Sequence, residues 1–117
     1  MSDPLRNHLA GAAAEDQVAR HYERAGHSVI ATRWRGQGGE IDLIVQAGDT
    51  LVFVEVKRAR THADAALRIT PRQIARITAA AAEFLAIRPE GARTDIRFDA
   101  ALIDATGRIE IREAAFP

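Results

Sequence analysis

The sequence predicts one α/β domain with the element order αβββαββ. Three observations carry this. Apolar residues recur at helical spacing in two segments, one following Asp3-Pro4 and one following Thr70-Pro71. Five shorter apolar runs lie between them and after them, bounded by turns that carry glycine, asparagine-like or proline breaks. The chain has 117 residues, 47% of them apolar and 27% charged, which suits one buried core rather than two.

Each element has a local cause. Asp3-Pro4 reads as an N-cap with proline at the first helical position, and Ala25-Gly26 as the end of that helix. Between them Leu5, Leu9, Ala12, Ala19 and Tyr22 recur at helical spacing. Residues 28–34 and 40–46 read as strands joined by Gly36-Gln37-Gly38-Gly39, and residues 51–57 as a third strand after Ala47-Gly48-Asp49-Thr50. Residues 60–69 show no period and read as a surface loop. Thr70-Pro71-Arg72-Gln73 opens the second helix as a capping box, carried by Ile74, Ile77, Ala81 and Phe84 and stopped before Pro89. Residues 95–103 and 108–112 are two further strands around Asp104-Ala105-Thr106-Gly107.

The central hairpin can be read in register. A turn centred between Gly48 and Asp49 places Ile41 opposite Val56, Leu43 opposite Val54 and Val45 opposite Val52, an unbroken apolar face. A slip of one residue would set each of these against the other face, so the pattern fixes the pairing. The opposite face then holds Ile44–Phe53, Glu40–Lys57 and Asp42–Glu55. Two carboxylates directly opposite one another destabilise a sheet. A shared proton or a cation between them would relieve the repulsion, and a hard divalent ion such as Mg²⁺ takes such oxygen ligands. Alternatively, Glu40–Lys57 is a cross-strand salt bridge and the acids splay into water.

Glu15 is a second polar residue on an apolar stripe, Ala12–Glu15–Ala19–Tyr22. A carboxylate there needs a partner. It is either a boundary residue reaching solvent, paired with Arg20 or Arg24, or part of a site. Gln73 is accounted for by its capping box.

Other chemistries find no support. The glycine-rich Gly36–Gly39 segment lacks the Lys-Ser/Thr of a phosphate loop and precedes a strand. His8, His21, His27 and His62 lack metal-ligand spacing. Without cysteine there is no disulfide framework, thiolate zinc site or cysteine nucleophile. The first residues do not read as a signal peptide and no apolar run reaches membrane-spanning length, so the expected location is the cytoplasm. Sixteen acids balance sixteen bases. Between Arg33 and Arg76, however, the bases 33, 35, 57, 58, 60, 68, 72 and 76 outnumber the acids 40, 42, 49, 55 and 64, an excess that suits a polyanion. Fifteen of the sixteen bases are arginine; the one lysine, Lys57, lies two residues after Glu55.

Taken in order, Gly39-Glu40-Ile41-Asp42-Leu43-Ile44, Phe53-Val54-Glu55-Val56-Lys57, Thr70-Pro71-Arg72-Gln73 and Arg97-Phe98-Asp99 resemble the bacterial protein family typified by YraN. That family is similar to the PD-(D/E)XK nuclease superfamily and to archaeal Holliday junction resolvases. The resemblance spans roughly residues 11–104. It implies a restriction-endonuclease-like, three-layer α/β/α core with a mixed sheet. It also implies that Asp42 and Glu55 hold a divalent metal, Mg²⁺ or Mn²⁺, that Lys57 positions the attacking water, that Glu15 is an additional acidic ligand or lies just behind the ligands, and that Gln73 helps order the site. Ala14 replaces a glycine of the family, Arg33 stands where the family usually has Asn, and Arg72 replaces Lys.

The function expected from this reading is metal-dependent hydrolysis of DNA phosphodiester bonds, on branched or junction DNA in the closest analogy. Arg33, Arg35, Arg58, Arg60, Arg68 and Arg72 are the candidate nucleic-acid contacts. The rival expectation is a structure-selective nucleic-acid binding module that uses the same fold without cutting. Junction cleavage would favour a homodimer.

Overall fold

Helix α1 spans Pro4–Arg24 and is followed by strands β1 (Ser28–Arg35), β2 (Glu40–Ala47) and β3 (Thr50–Arg58). Helices α2 (His62–Leu67) and α3 (Pro71–Ala86) then lead into strands β4 (Asp95–Ile103) and β5 (Ile109–Arg112). This computed structural model describes residues 4–90 and 94–116, with side chains from Ala12 onward. The N-cap expected at Asp3 and the side chains of Leu5, His8 and Leu9 lie outside the described residues.

The strands form one mixed sheet in the order β1-β2-β3-β4-β5, antiparallel except for the parallel β3–β4 pair. A parallel pair cannot be joined by a tight turn, and α2 and α3 supply the crossover. Ala14, Val18 and Tyr22 of α1 pack on Leu43, Val45, Val52 and Val54 on one face. Ile77, Ala80, Ala81 and Phe84 of α3 pack with Ile44, Leu51, Phe53 and Phe98 on the other. The result is the three-layer α/β/α arrangement expected. Strand β3 is covered on both sides, so every residue from Leu51 to Glu55 is buried, as a central strand with parallel pairing requires.

The second long helix starts as its sequence says. The Thr70 hydroxyl accepts from Gln73 N at 3.2 Å, and the Gln73 side-chain Oε1 accepts from Thr70 N at 3.3 Å. Residues 60–69, expected as a loop, contain the extra helix α2. Thr61 caps it by accepting from Asp64 N at 3.0 Å, and Ala65 alone is buried, so six residues had no apolar period to display.

The β2–β3 register is the expected one, with Leu43↔Val54, Ile44↔Phe53 and Val45↔Val52. The apolar face is not unbroken, however. Ile41 lies in the α3-side core with Ile44 and Phe53, not on the α1 side with Leu43. Ile41 and Ile44 are three residues apart, so strict alternation fails at Asp42. The neighbouring strand shows the cause: Arg33, which would pair with Asp42, has φ 50 in the left-handed region, and no Cα pair forms there between Thr32↔Leu43 and Trp34↔Ile41.

A buried carboxylate ties the α1 layer to the sheet. Asp99 on β4 has no exposed surface. It accepts from Tyr22 Oη at 2.9 Å, from Arg97 Nε at 2.8 Å and Nη2 at 3.0 Å, and from Ala114 N at 3.2 Å. These donors replace the water lost on burial. Burial and Asp99 in turn raise the Tyr22 phenol pKa far above its ordinary value.

Candidate active site at the open end of the hairpin

The site forms where β2 and β3 stop pairing. Their ladder runs from Ala47↔Thr50 to Leu43↔Val54 and ends there. The next N–H on the β3 side that seeks a partner, Val56 N, donates instead to the Asp42 carboxylate at 2.8 Å. Asp42 therefore caps the end of the ladder and turns toward the α3 side. There a cavity of about 250 Å³ is lined by Glu40, Asp42, Glu55, Gln73, Arg76 and Ile77. Gly39 sets the approach of α3: a Cβ on it would lie 2.5 Å from the Arg76 carbonyl oxygen, so only glycine lets the helix backbone pack this close to the start of β2.

Electrostatics follow from burial. Removal from water raises the Asp42 pKa first, and the nearby Glu55 carboxylate second, pushing it up to about 7 against the Val56 N–H bond that lowers it. Burial also raises the pKa of Glu55, opposed by Lys57. Lys57 Nζ lies 3.1 Å from Glu55 Oε1, with both side chains largely covered. Two carboxylates thus border one open cavity, one of them paired with an ammonium, and the two acids together favour holding a proton or a cation.

The remaining expected residues divide. Gln73 lines the cavity while its amide oxygen serves the helix cap. Glu40 bridges to Arg35 at 3.1 Å, not to Lys57, so the cross-strand Glu40–Lys57 bridge is absent. Glu15 takes neither Arg20 nor Arg24 as partner. Its carboxylate accepts from Arg33 Nε at 2.6 Å, although its charge is close enough to raise the pKa of both Asp42 and Glu55. Among the described residues no group of three or more His, Asp or Glu side chains is arranged to hold a metal ion, and the Glu15 carboxylate is engaged by Arg33. Arg58, Arg60, Arg68 and Arg72 are exposed, and none forms an ion pair among the described residues.

Two contributors escaped the sequence reading. Arg76 lies one helical turn after Gln73 and on the same face, a spacing that could have singled it out. Glu83, read only as a break in an alanine run, accepts from Gln37 N and Gly38 N, each at 2.8 Å, and so fixes the glycine-rich connection that leads into β2. Those N–H donors, Gly38 first, hold its carboxyl pKa below the usual range.

Comparison with known proteins gives one consistent answer. The model of the "Uncharacterised protein family UPF0102" matches residues 14–103, a span that includes every residue lining the cavity. A UPF0102 protein of Ruegeria pomeroyi is 59% identical over 111 residues, covering 95% of this chain and 90% of its own. One of Cereibacter sphaeroides (strain ATCC 17029) is 54% identical over 110 residues, 94% of each chain. One of Dinoroseobacter shibae is 48% identical over 103 residues, covering 88% and 77%.

Proposed function

The chain belongs to the UPF0102 family, and from that premise we propose that it is a metal-dependent phosphodiesterase acting on DNA. The observation that carries the reading is the pair Asp42–Glu55, one half-buried and one buried carboxylate turned into one cavity with Lys57 against Glu55. Their donor set fits a hard divalent cation: all oxygen, charged, and held at a cavity open enough to admit water and a phosphate. Asp42 and Glu55 would hold Mg²⁺ or Mn²⁺, and the ion would supply positive charge to a scissile phosphate and acidify a water.

The protein's own groups then have distinct tasks. Asp42, anchored by Val56 N, fixes one ligand oxygen against rotation. Glu55 is oriented by Lys57, whose ammonium also offsets negative charge growing on a phosphate. Gln73 and Arg76 border the cavity from α3, one a neutral hydrogen-bonding group and the other a cation for the substrate backbone. The resemblance to PD-(D/E)XK nucleases supports the same assignment.

A second reading, a nucleic-acid binding module that does not cut, is favoured by one observation: Glu15 is engaged by Arg33, which leaves two carboxylates rather than three. Incubation of the protein with single-stranded, duplex and branched DNA in Mg²⁺ or Mn²⁺ separates the two. Cleavage that disappears in Glu55→Gln supports the hydrolase. Salt-dependent binding with no cleavage of any substrate selects the binding module, and neither binding nor cleavage rejects both.

A further inference from the structure

On the α1 side of the sheet a second cavity, of about 260 Å³, is lined by Gln17, Arg20 and Arg24 of α1 and by Gly107 and Ile109. Gln17, Arg20 and Arg24 follow one helix face at i, i+3 and i+7. Asp16 precedes Arg20 by four residues, the order in which an acid and a base pair well on a helix, yet no ion pair forms between them. Arg20 borders the cavity instead, and Arg24 has no ion-pair partner among the described residues either. The contrast is with Arg33, Arg35, Arg88, Arg97 and Arg112, each of which takes a carboxylate.

This cavity is at the same end of the sheet as Glu55 and Lys57. Strands β3 and β4 are parallel, with Lys57↔Leu102 and Arg58↔Ile103, so the turn that contains Gly107 follows directly beyond Lys57. The exposed Arg58–Arg60 stretch is held against that turn by Ala59 N to Ile103 O at 3.1 Å and Ala105 N to Arg60 O at 3.2 Å. The exposed Arg58 and Arg60 therefore lie on the segment that leaves β3 at this end, beside the turn that borders the α1 cavity.

We propose that the Arg20–Arg24 cleft is a second phosphate-backbone contact, so that a bound nucleic acid crosses the end of the sheet and touches both helical layers. The proposal rests on the nucleic-acid part of the functional reading. It adds a substrate class: a strand or branched duplex long enough to reach from one face to the other, not a mononucleotide. The chemistry is that of guanidinium forks on phosphate oxygens, with Gln17 as a neutral donor beside them.

The test is binding of a labelled duplex and a labelled four-way junction in EDTA, across a salt series, by the wild type and by Arg20→Ala/Arg24→Ala. The expected result is about tenfold or greater loss of affinity and a slope of log K against log salt lower by about 1.8 on duplex, two phosphate contacts' worth. Arg20→Lys/Arg24→Lys should restore most of the slope, and the thermal shift produced by Mn²⁺ should be the same in all three proteins. Wild-type binding with an unchanged slope in the alanine variant overturns the cleft and leaves the carboxylate site standing. The same holds if inorganic phosphate protects the cleft while DNA affinity ignores the substitutions. No binding by the wild type in EDTA overturns the cleft, and the nucleic-acid reading falls with it only where the Mg²⁺ and Mn²⁺ incubations also show neither binding nor cleavage.

Discussion

At its turn end the β2–β3 hairpin pairs Leu43 with Val54, Ile44 with Phe53 and Val45 with Val52, all without exposed surface. At its open end the same two strands have no backbone pairs, and Asp42 and Glu55 face a cavity, with Lys57 against Glu55. The two ends adjoin, since Asp42 is next to Leu43 and Glu55 next to Val54. The closed end gains from hydrophobic burial and a complete ladder. The open end gives up ladder bonds, gathers like charges and takes up a left-handed Arg33 alongside. A fold keeps such costs only where rigid structure next to them can bear them.

The largest effect expected comes from breaking the closed end. Phe53 is fully buried, with its ring tilted against Phe98 at 5.5 Å and edge-on to Phe84 at 6.1 Å. Phe53→Ala should cost about 3–5 kcal/mol, as a truncated core aromatic does. Urea denaturation measures it. A loss under about 1 kcal/mol would mean the turn end does not hold up the open end.

Lys57 tests the open end. Lys57→Arg should fold as the wild type does and keep its thermal response to Mn²⁺, yet cut DNA about 10²-fold more slowly in single turnover, comparable to removing a preorganised donor. The reason is shape: a compact ammonium fits beside Glu55 and a phosphate oxygen, and a planar fork does not. Cutting at the wild-type rate would make Lys57 a structural partner of Glu55 and nothing more.

What the sequence made legible follows the same division. The closed end was readable because period-two alternation fixes register without help from distant residues. So was the capping box at Thr70–Gln73, which is local. The face of Ile41 was not, because the interruption is a backbone event at Arg33, and arginine does not advertise a positive φ as glycine or asparagine does. Nor was the Glu15–Arg33 pair, whose partners lie 18 residues apart on a helix and a strand. Nor was Asp99, whose donors come from α1, β4 and the segment after β5. Asp42 and Glu55 were legible as an anomaly, two acids in an otherwise apolar pairing; that Asp42 would cap Val56 required the strands to part.

The acid pair gives a pH prediction. In the unfolded chain Asp42 loses its proton at the ordinary value of 3.8, but in the folded chain only near 7. Between these values the folded state holds more protons, so metal-free stability should fall as pH rises toward 7. Asp42→Asn should flatten part of that fall, leaving the portion due to Glu55, whose pKa is also raised. The gain at neutral pH should be about 1 kcal/mol, a few degrees in melting temperature for a domain of this size. The same variant should lose the added stability from Mn²⁺. Thermal melts from pH 4.5 to 8, in EDTA and in Mn²⁺, test both; parallel pH profiles for wild type and Asp42→Asn would remove the pair as their source.

The smallest change in stability is expected at Arg33, and it bears most directly on why the two ends differ. The side chain contributes a part-exposed ion pair with Glu15, an interaction that water screens and that stabilises little. The backbone is in the left-handed region, at a cost of about 1–2 kcal/mol that asparagine, with its short polar side chain, meets more readily. The resemblance that places Asn at this position in related chains matches that need. Arg33→Asn should therefore leave stability within about 0.5 kcal/mol of wild type, because loss of the bridge and relief of strain oppose each other. Its effect should appear at the site. Glu15, released from Arg33 Nε, adds its charge fully to Asp42 and Glu55, while a guanidinium that attracts both Asp42 and Glu40 is removed. Mn²⁺ affinity, read by calorimetric titration, should rise several-fold in Arg33→Asn and return to wild type in Glu15→Gln/Arg33→Asn. An unchanged affinity in the single variant would mean that Glu15 belongs to the scaffold and that Asp42 and Glu55 alone define the open end.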